Sequence, residues 1–226
     1  RNGNVIYDGT IQSTEHIFEL LKLKLKQLGI SQAKLLVIIG DGAPWIWKRV
    51  SDLRATLGLE TLRIIEIIDW AHAVGKLSGA AKLGIKGYAS QQKWFRQTRH
   101  SLKKGQIDKV IASLSELDRS QDREQFIRRA IEYFQVHQTR MQYPSFQDEG
   151  LPIGSGIVES GVRRIINLRL NGTSMFWRPD RAEQILCLRC KIKSGQWEDF
   201  VKSTLWEWAS DPDISLKQTH QISKQI

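Results

Sequence analysis

Two short apolar runs, each followed by an aspartate, constrain the fold of this chain most strongly. The first run, residues 35–39, contains only Leu, Val and Ile and leads through Gly40 to Asp41. The second run, residues 62–68, is rich in Leu and Ile and leads directly to Asp69. Continuous apolar runs of this length, closed by turn residues, are typical of parallel strands buried on both faces. A helix-length segment separates the two runs, so the sequence predicts a β-α-β unit.

The two aspartates follow the carboxyl ends of these predicted strands. Open α/β sheets place their ligands and their chemistry at that end. An aspartate between a strand and a helix can equally serve as a helix N-cap. Both interpretations therefore remain open for Asp41 on its own, and further motifs are needed to decide between them.

The remaining segments divide into a short start, a long helical block and a helical end. Residues 4–7 resemble a strand, and a helix is expected over 14–28 with Ser13 or Thr14 as its cap. From 74 to 143 apolar residues recur at helical spacing, which predicts helices without strands. We expect a loop over 143–152 and a helix from about Ser155 that contains Glu159. Further segments of helical pattern cover 47–57, 181–193 and 196–209, and the tail from 211 is polar.

The charge balance favours a polyanionic partner. The chain has 34 Lys and Arg residues against 24 Asp and Glu, a net charge of +10. Nucleic acid is the usual partner of so basic a domain, although a solvated basic surface is the alternative. Two cysteines give no disulfide framework, and we find neither a signal peptide nor a run long enough to span a membrane. These features predict a cytoplasmic protein.

Four segments resemble motifs of bacterial insertion-sequence DDE transposases of the Mutator-related superfamily, closest to the Kra-type group. Residues 40–47, GDGAPWIW, resemble the segment of the second catalytic Asp, and residues 69–73, DWAHA, the Asp-x-x-His signature. Residues 151–160, LPIGSGIVES, resemble the segment with the catalytic Glu. Residues 169–177, RLNGTSMFW, are similar to the Arg-Leu-Lys-Gly-x-x-Met-x-Trp stretch. The resemblance extends from about residue 7 to 208.

This resemblance implies an α/β fold, a ribonuclease H-like catalytic core with an all-helical insertion. Residues 1–73 would form a partial core, 74–150 the insertion, 151–210 the C-terminal helices with the Glu, and 211–226 a polar tail. The strand at 4–7 would be the third of the fold. We therefore expect an N-terminally incomplete sheet in a C-terminal fragment, with the first two strands upstream.

The same resemblance assigns the site residues. Asp41 and Glu159 would be the second and third catalytic carboxylates and the ligands of Mg²⁺ or Mn²⁺. Asp69 and His72 would form the signature pair beside the site, supporting the metal or positioning DNA. The alternative is structural, with Asp69 as a helix N-cap and His72 in a first-turn contact.

Three arginines and two tryptophans near these motifs are candidate DNA contacts. Arg163 lies one turn beyond Glu159, where an ion pair between the two is the alternative to a phosphate contact. Core packing is the default role of the tryptophans, and stacking on a frayed DNA end is the other. The candidates are Arg163, Arg164, Arg169, Trp45 and Trp177.

The predicted function is metal-dependent phosphodiester hydrolysis and DNA strand transfer, acting on transposon ends and target DNA. The first carboxylate is missing from the pattern, because only one helix fits between Asp8 and Asp41. We therefore disfavour Asp8 in that role and expect that the chain alone does not cut DNA. The alternative function is a non-catalytic, nucleic-acid-binding remnant of a transposase. A homodimer is possible in either case, and no membrane partner is expected.

Overall fold

The computed structural model describes residues 5–117, 121–168, 170–171 and 176–210, with only the backbone at 121 and 122. Arg169 and the predicted polar tail therefore lie outside the described residues. The described chain is an α/β mixture, mostly helical with one small parallel sheet. The strands are β1 (Leu35–Gly40) and β2 (Arg63–Ile68). The α-helices are α1 (Thr14–Gln27), α2 (Pro44–Leu57), α3 (Trp70–Gly84), α4 (Tyr88–Lys103), α5 (Ile107–Ser115), α6 (Gln121–His137), α7 (Tyr143–Asp148), α8 (Gly156–Val162), α9 (Pro179–Lys193) and α10 (Trp197–Ser210).

The chain forms two compact units. The larger unit comprises Lys22–Ile157, and the smaller unit comprises Arg1–Leu21 with Val158–Ile226. In the described part of both units, no helix is long and apolar enough to cross a membrane. Each unit has its own apolar core.

The sheet of the larger unit confirms the predicted parallel pair. Its register runs from Leu35 opposite Arg63 to Gly40 opposite Ile68. The prediction that β1 is buried on both faces is wrong, because all six of its residues are only half-buried. Ile67 and Ile68 of β2, in contrast, are fully buried. The apolar run of β1 is thus only partly covered by the larger unit, whose helices pack more closely around the end of β2.

The predicted helical block is confirmed as four helices, α3 to α6, and a short 3₁₀ turn, Gln138–Met141. Consecutive helices pack against one another, and α6 also returns to α3. The loop expected over 143–152 is partly wrong, because its first six residues form α7. Pro144 lies in the first turn of α7, where its missing N–H costs nothing. Tyr143 and Phe146 are buried in the core, and this packing explains why a polar-looking segment is helical.

The smaller unit contains the start of the chain and helices α8 to α10. The strand predicted at 4–7 is wrong over the described residues 5–7, which form no strand. Here the backbone is held by a side chain instead, because the Ser194 hydroxyl bonds the Tyr7 amide at 2.8 Å and the Tyr7 carbonyl at 3.3 Å. The predicted helix with Glu159 is confirmed as α8, which continues into one π-helical turn, Arg163–Asn167. The predicted α9 and α10 are confirmed as well.

The predicted helix over 14–28 is confirmed as α1, with the Ser13 hydroxyl accepting the His16 amide hydrogen at 3.3 Å. Helix α2 begins three residues before the predicted start, since Pro44 is favoured in a first helical turn. It ends at Leu57, and the following Gly58 has a positive φ of 62°, which suits glycine at a helix C-terminus.

Candidate functional site

The carboxyl ends of β1 and β2 lie side by side, as the sequence predicted. The Asp69 amide donates to the Gly40 carbonyl at 2.8 Å, so the ladder continues one residue beyond β2. Asp41 follows Gly40 directly, and the two aspartates therefore leave the sheet at the same end. We call this region, with residues 41–43 and 69–72, the carboxyl end of the sheet.

Asp69 is buried, with 1% of its surface exposed, and caps α3. One carboxylate oxygen accepts the His72 amide at 2.9 Å and contacts His72 Nδ1 at 3.2 Å. The other accepts the Ser155 amide at 2.5 Å. Burial alone would raise the pKa of Asp69, but the hydrogen bonds from Ser155 and His72 outweigh burial and hold the pKa below its usual value. Both oxygens of this carboxylate are thus engaged by the protein.

His72 has its tautomer fixed by this carboxylate. Because an ionised Asp69 can only accept, the proton of the neutral imidazole lies on Nδ1. Nε2 takes no part in this contact, and 51% of the His72 side chain is exposed. A carboxylate that orients a histidine in this way is a common support of metal-binding and proton-transferring imidazoles. Asp69 is therefore a helix cap, and the role of the pair in catalysis stays a prediction.

Asp41 is exposed, in contrast to Asp69. Its Oδ1 accepts the Ala43 amide at 2.9 Å, which closes a side-chain turn before α2. Within the described chain this is the hydrogen bond that its carboxylate makes, so Oδ2 is open to solvent or a ligand. The N-cap residue of α2 is Ala43. Asp41 thus shapes the turn and keeps half of its carboxylate free.

Two side chains of α6 hold the turn at residues 41–43. The Tyr133 hydroxyl donates to the Asp41 carbonyl at 3.1 Å, and His137 Nε2 contacts the Gly42 carbonyl at 3.1 Å. Gly42 has a φ of 94°, and a Cβ there would lie 2.5 Å from the Tyr133 ring. Glycine is therefore required by backbone conformation and by space. Sequence reasoning missed Tyr133 and His137, although their spacing of four residues places both on one face of a helix.

His137 belongs to a polar chain that reaches back to β2. Because Nε2 faces a carbonyl, it carries the proton, and Nδ1 accepts from Arg140 at 3.3 Å. Arg140 pairs with Glu66 at 2.5 Å and lies over the Trp47 ring, 4.7 Å from its centroid. Burial, with the nearby Arg140 charge, lowers the pKa of His137. The imidazole is therefore neutral and fixed in one tautomer near neutral pH.

Tyr143 holds the end of β2 as Tyr133 holds the turn after β1. Its hydroxyl donates to the Ile68 carbonyl at 3.1 Å, and its ring packs edge-on against Trp70. Tyr143 is fully buried, whereas Tyr133 is half-buried. Burial raises the pKa of both phenols, so both remain protonated donors. Each strand end is thus fixed by one tyrosine hydroxyl on a main-chain carbonyl.

The carboxyl end of the sheet offers an incomplete set of metal ligands. Among the described residues, no group of three or more His, Cys, Asp or Glu side chains is placed to hold a metal ion. Asp41 provides a free carboxylate oxygen of the type that Mg²⁺ and Mn²⁺ prefer. Asp69 provides none, because both of its oxygens are used. Of the two aspartates, Asp41 is therefore the one whose carboxylate is not fully used by the described part of the protein.

The remaining predicted site residues lie on the smaller unit, except Trp45. Glu159 is exposed on α8, and Arg163 and Arg164 are exposed on the π-helical turn. No ion pair joins Arg163 to Glu159 in the part of the chain that the structure describes. Asp8 lies outside any strand, with its carboxylate accepting the Gly9 amide at 2.9 Å. The two tryptophans have exposed fractions of 42% for Trp45, at the start of α2, and 40% for Trp177.

Comparison with known proteins gave no match to a family model, to a curated protein or to a solved structure.

Proposed function

We propose that this chain is part of a DDE-type DNA transposase with a ribonuclease H-like core, which hydrolyses phosphodiesters and transfers DNA strands. The observation that carries the proposal is the Asp41 carboxylate at the carboxyl end of a parallel strand. It keeps one oxygen free, while its turn is held by Tyr133 and His137. The motif resemblance and the net charge of +10 support the same function.

In this proposal each residue at the carboxyl end of the sheet has a distinct task. Asp41 would hold a divalent cation, Mg²⁺ or Mn²⁺, and the resemblance gives Glu159 the task of a further carboxylate ligand. Such a cation, when bound, polarises a phosphodiester and lowers the pKa of water. Asp69 orients His72 through Nδ1, which leaves Nε2 for a further contact. Tyr133 and His137 hold the main chain that positions Asp41.

The second candidate is a transposase remnant that binds nucleic acid without chemistry. It is favoured by the excess of Lys and Arg, which suffices for binding to a phosphate backbone. The two candidates differ in one property, since only the enzyme needs a divalent cation at Asp41. Metal binding by the purified chain therefore separates them even if this chain does not cut DNA.

The experiment is a calorimetric Mn²⁺ titration of the wild-type chain and three variants. We expect Asp41→Asn to lose Mn²⁺ binding, and Glu159→Gln to weaken it. Asp52→Asn, an exposed carboxylate on α2, is the matched control and should bind like wild type. Unchanged Mn²⁺ affinity in Asp41→Asn would contradict the proposal. DNA binding together with Mn²⁺ binding that does not depend on Asp41 would favour the remnant.

A further inference from the structure

The smaller unit contains a cationic pocket of about 450 Å³. Three segments form its walls, residues 5–7, 161–165 and 193–195. Among the described residues that line it, Arg164 and Lys193 are the charged ones and none is a carboxylate. Two cations that share a concave surface repel each other, and a bound anion would offset that electrostatic repulsion.

Arg189 fixes the two cationic walls to each other. Its Nε donates to the Ile165 carbonyl at 2.7 Å, and its other guanidinium nitrogen bonds the Arg164 carbonyl. Arg189 and Lys193 are four residues apart on α9 and so lie on the same helix face. The backbone of Arg164 is therefore bonded to the helix face from which Lys193 extends.

The third wall is fixed by Ser194 and Gly161. The Ser194 hydroxyl bonds the backbone of Tyr7, and Gly161 receives the Tyr7 ring. A Cβ at Gly161 would lie 2.5 Å from that ring, so the close approach requires glycine. Because the Ser194 hydroxyl is already engaged, the two cations are the charged groups that line the pocket and can contact a ligand.

The cationic side chains are available. Among the described residues, neither Arg164 nor Lys193 is joined to a carboxylate, and both are exposed. Arg164 also lies on the π-helical turn, a feature that often occurs at functional sites. Lys193 lies in the last turn of α9, where a cation also stabilises the helix dipole.

We propose that this pocket binds a phosphate group, with the Arg164 guanidinium and the Lys193 ammonium as its two cationic contacts. An arginine fork and a lysine point charge are complementary ways of holding phosphate oxygens. The phosphate comes from a nucleic-acid backbone, and this choice of source rests on the proposed function. The proposal that the pocket binds a phosphate group does not itself rest on the proposed function.

The experiment measures binding of a short fluorescein-labelled single-stranded oligonucleotide by anisotropy over a salt series, in EDTA. We expect the double variant Arg164→Gln with Lys193→Gln to lose affinity about tenfold, and its log–log salt slope to fall by about one to two. Lys202→Gln, on the exposed face of α10 in the same unit, is the matched control and should leave affinity and slope unchanged. Lys193→Arg keeps the charge and should keep the affinity.

A second arm titrates inorganic phosphate into the wild-type chain and the double variant. Oligonucleotide binding that needs both cations, without competition by inorganic phosphate, supports a nucleic-acid phosphate. Binding of both probes that needs both cations supports a pocket for any phosphate group. Equal oligonucleotide affinity and slope in the folded double variant and wild type would overturn the proposal. If Lys193→Gln lowers the thermal stability but leaves the oligonucleotide affinity unchanged, Lys193 only stabilises the helix dipole. That result would overturn its assignment as a phosphate contact.

These results are independent of the metal experiment. Because EDTA is present, the oligonucleotide measurement does not depend on a metal ion at Asp41. If the pocket does not bind phosphate, the double variant will therefore bind the oligonucleotide like wild type. If the proposed enzymatic function is wrong, Asp41→Asn will bind Mn²⁺ like wild type.

Discussion

The two strands of the sheet end on the same residue type in opposite environments. Asp69, after β2, is buried and uses both carboxylate oxygens on the amides of His72 and Ser155. Asp41, after β1, is exposed and uses one oxygen on its own turn. At equivalent positions in the sheet, one carboxylate is thus fully used by the fold and the other is used only in part. The difference follows from what covers each strand end, since residues 154–155 pack over Asp69.

The largest effect should come from removing the buried carboxylate. Asp69→Ala removes the cap of α3 and leaves the Ser155 amide without an acceptor, so we expect a loss of about 3 kcal/mol of unfolding free energy. Asp41→Ala, on the exposed turn, should cost less than about 1 kcal/mol. Urea unfolding of both variants measures the contrast. Equal losses would show that the two carboxylates do not differ in structural role.

The next effect concerns the polar chain behind the Asp41 turn. Arg140→Ala removes the ion pair with Glu66, the contact with Trp47 and the donor to His137, for an expected loss of about 2 kcal/mol. Arg63→Ala breaks the more exposed pair with Glu149 and should cost less than about 1 kcal/mol. The same unfolding measurement compares them. An Arg140 variant as stable as the Arg63 variant would argue against a structural chain.

A smaller effect distinguishes the two tyrosine contacts. Tyr143→Phe leaves the buried Ile68 carbonyl without its donor and should cost about 1.5 kcal/mol. Tyr133→Phe opens a half-buried contact in which water can replace the hydroxyl, for a cost of about 0.5 kcal/mol. Thermal or urea unfolding resolves this difference. The reverse order would mean that the Asp41 turn is held more tightly than the end of β2.

The smallest effects appear as two windows of pH. The pKa of His137 is lowered by folding, so its contribution is complete above the unfolded value of about 6.5 and is lost as the pH falls below it. The pKa of Asp69 is also lowered, so its contribution is complete above about 3.9 and is lost below that pH. Unfolding free energies against pH should show both losses in wild type. His137→Gln should lack the first and Asp69→Asn the second.

The sequence predicts the elements of the larger unit well, because long periodic segments dominate it. The parallel pair, α2 and the helices after residue 74 follow from periodicity and turn residues. The strand predicted at 4–7 is wrong over the described residues 5–7, because a short apolar stretch cannot reveal that Ser194, far along the chain, satisfies its backbone. The short α7 is missed because its helix depends on burial of Tyr143 and Phe146.

The candidate site is predictable only in part. Asp41, Asp69 and His72 follow from their position after apolar runs and from the motif resemblance. Tyr133, His137 and Tyr143 are not predictable, because their partners are main-chain carbonyls. A carbonyl is present at every residue, so the sequence carries no mark of which one is contacted. The contrast between the two aspartates is hidden in a similar way, because the partners of Asp69 are main-chain amides, which nearly every residue has.

The most direct test is the thermal unfolding of Asp41→Asn and Asp69→Asn with and without Mn²⁺. A ligand that binds only the folded state raises the unfolding midpoint, so the Mn²⁺ shift reports the metal ligand and the midpoint without metal reports the fold. We predict that Asp41→Asn keeps the wild-type midpoint and loses the Mn²⁺ shift, whereas Asp69→Asn has a lower midpoint and keeps the shift. An Asp41→Asn chain that retains the shift, or an Asp69→Asn chain with the wild-type midpoint and no shift, would contradict the division of roles between the two strand ends.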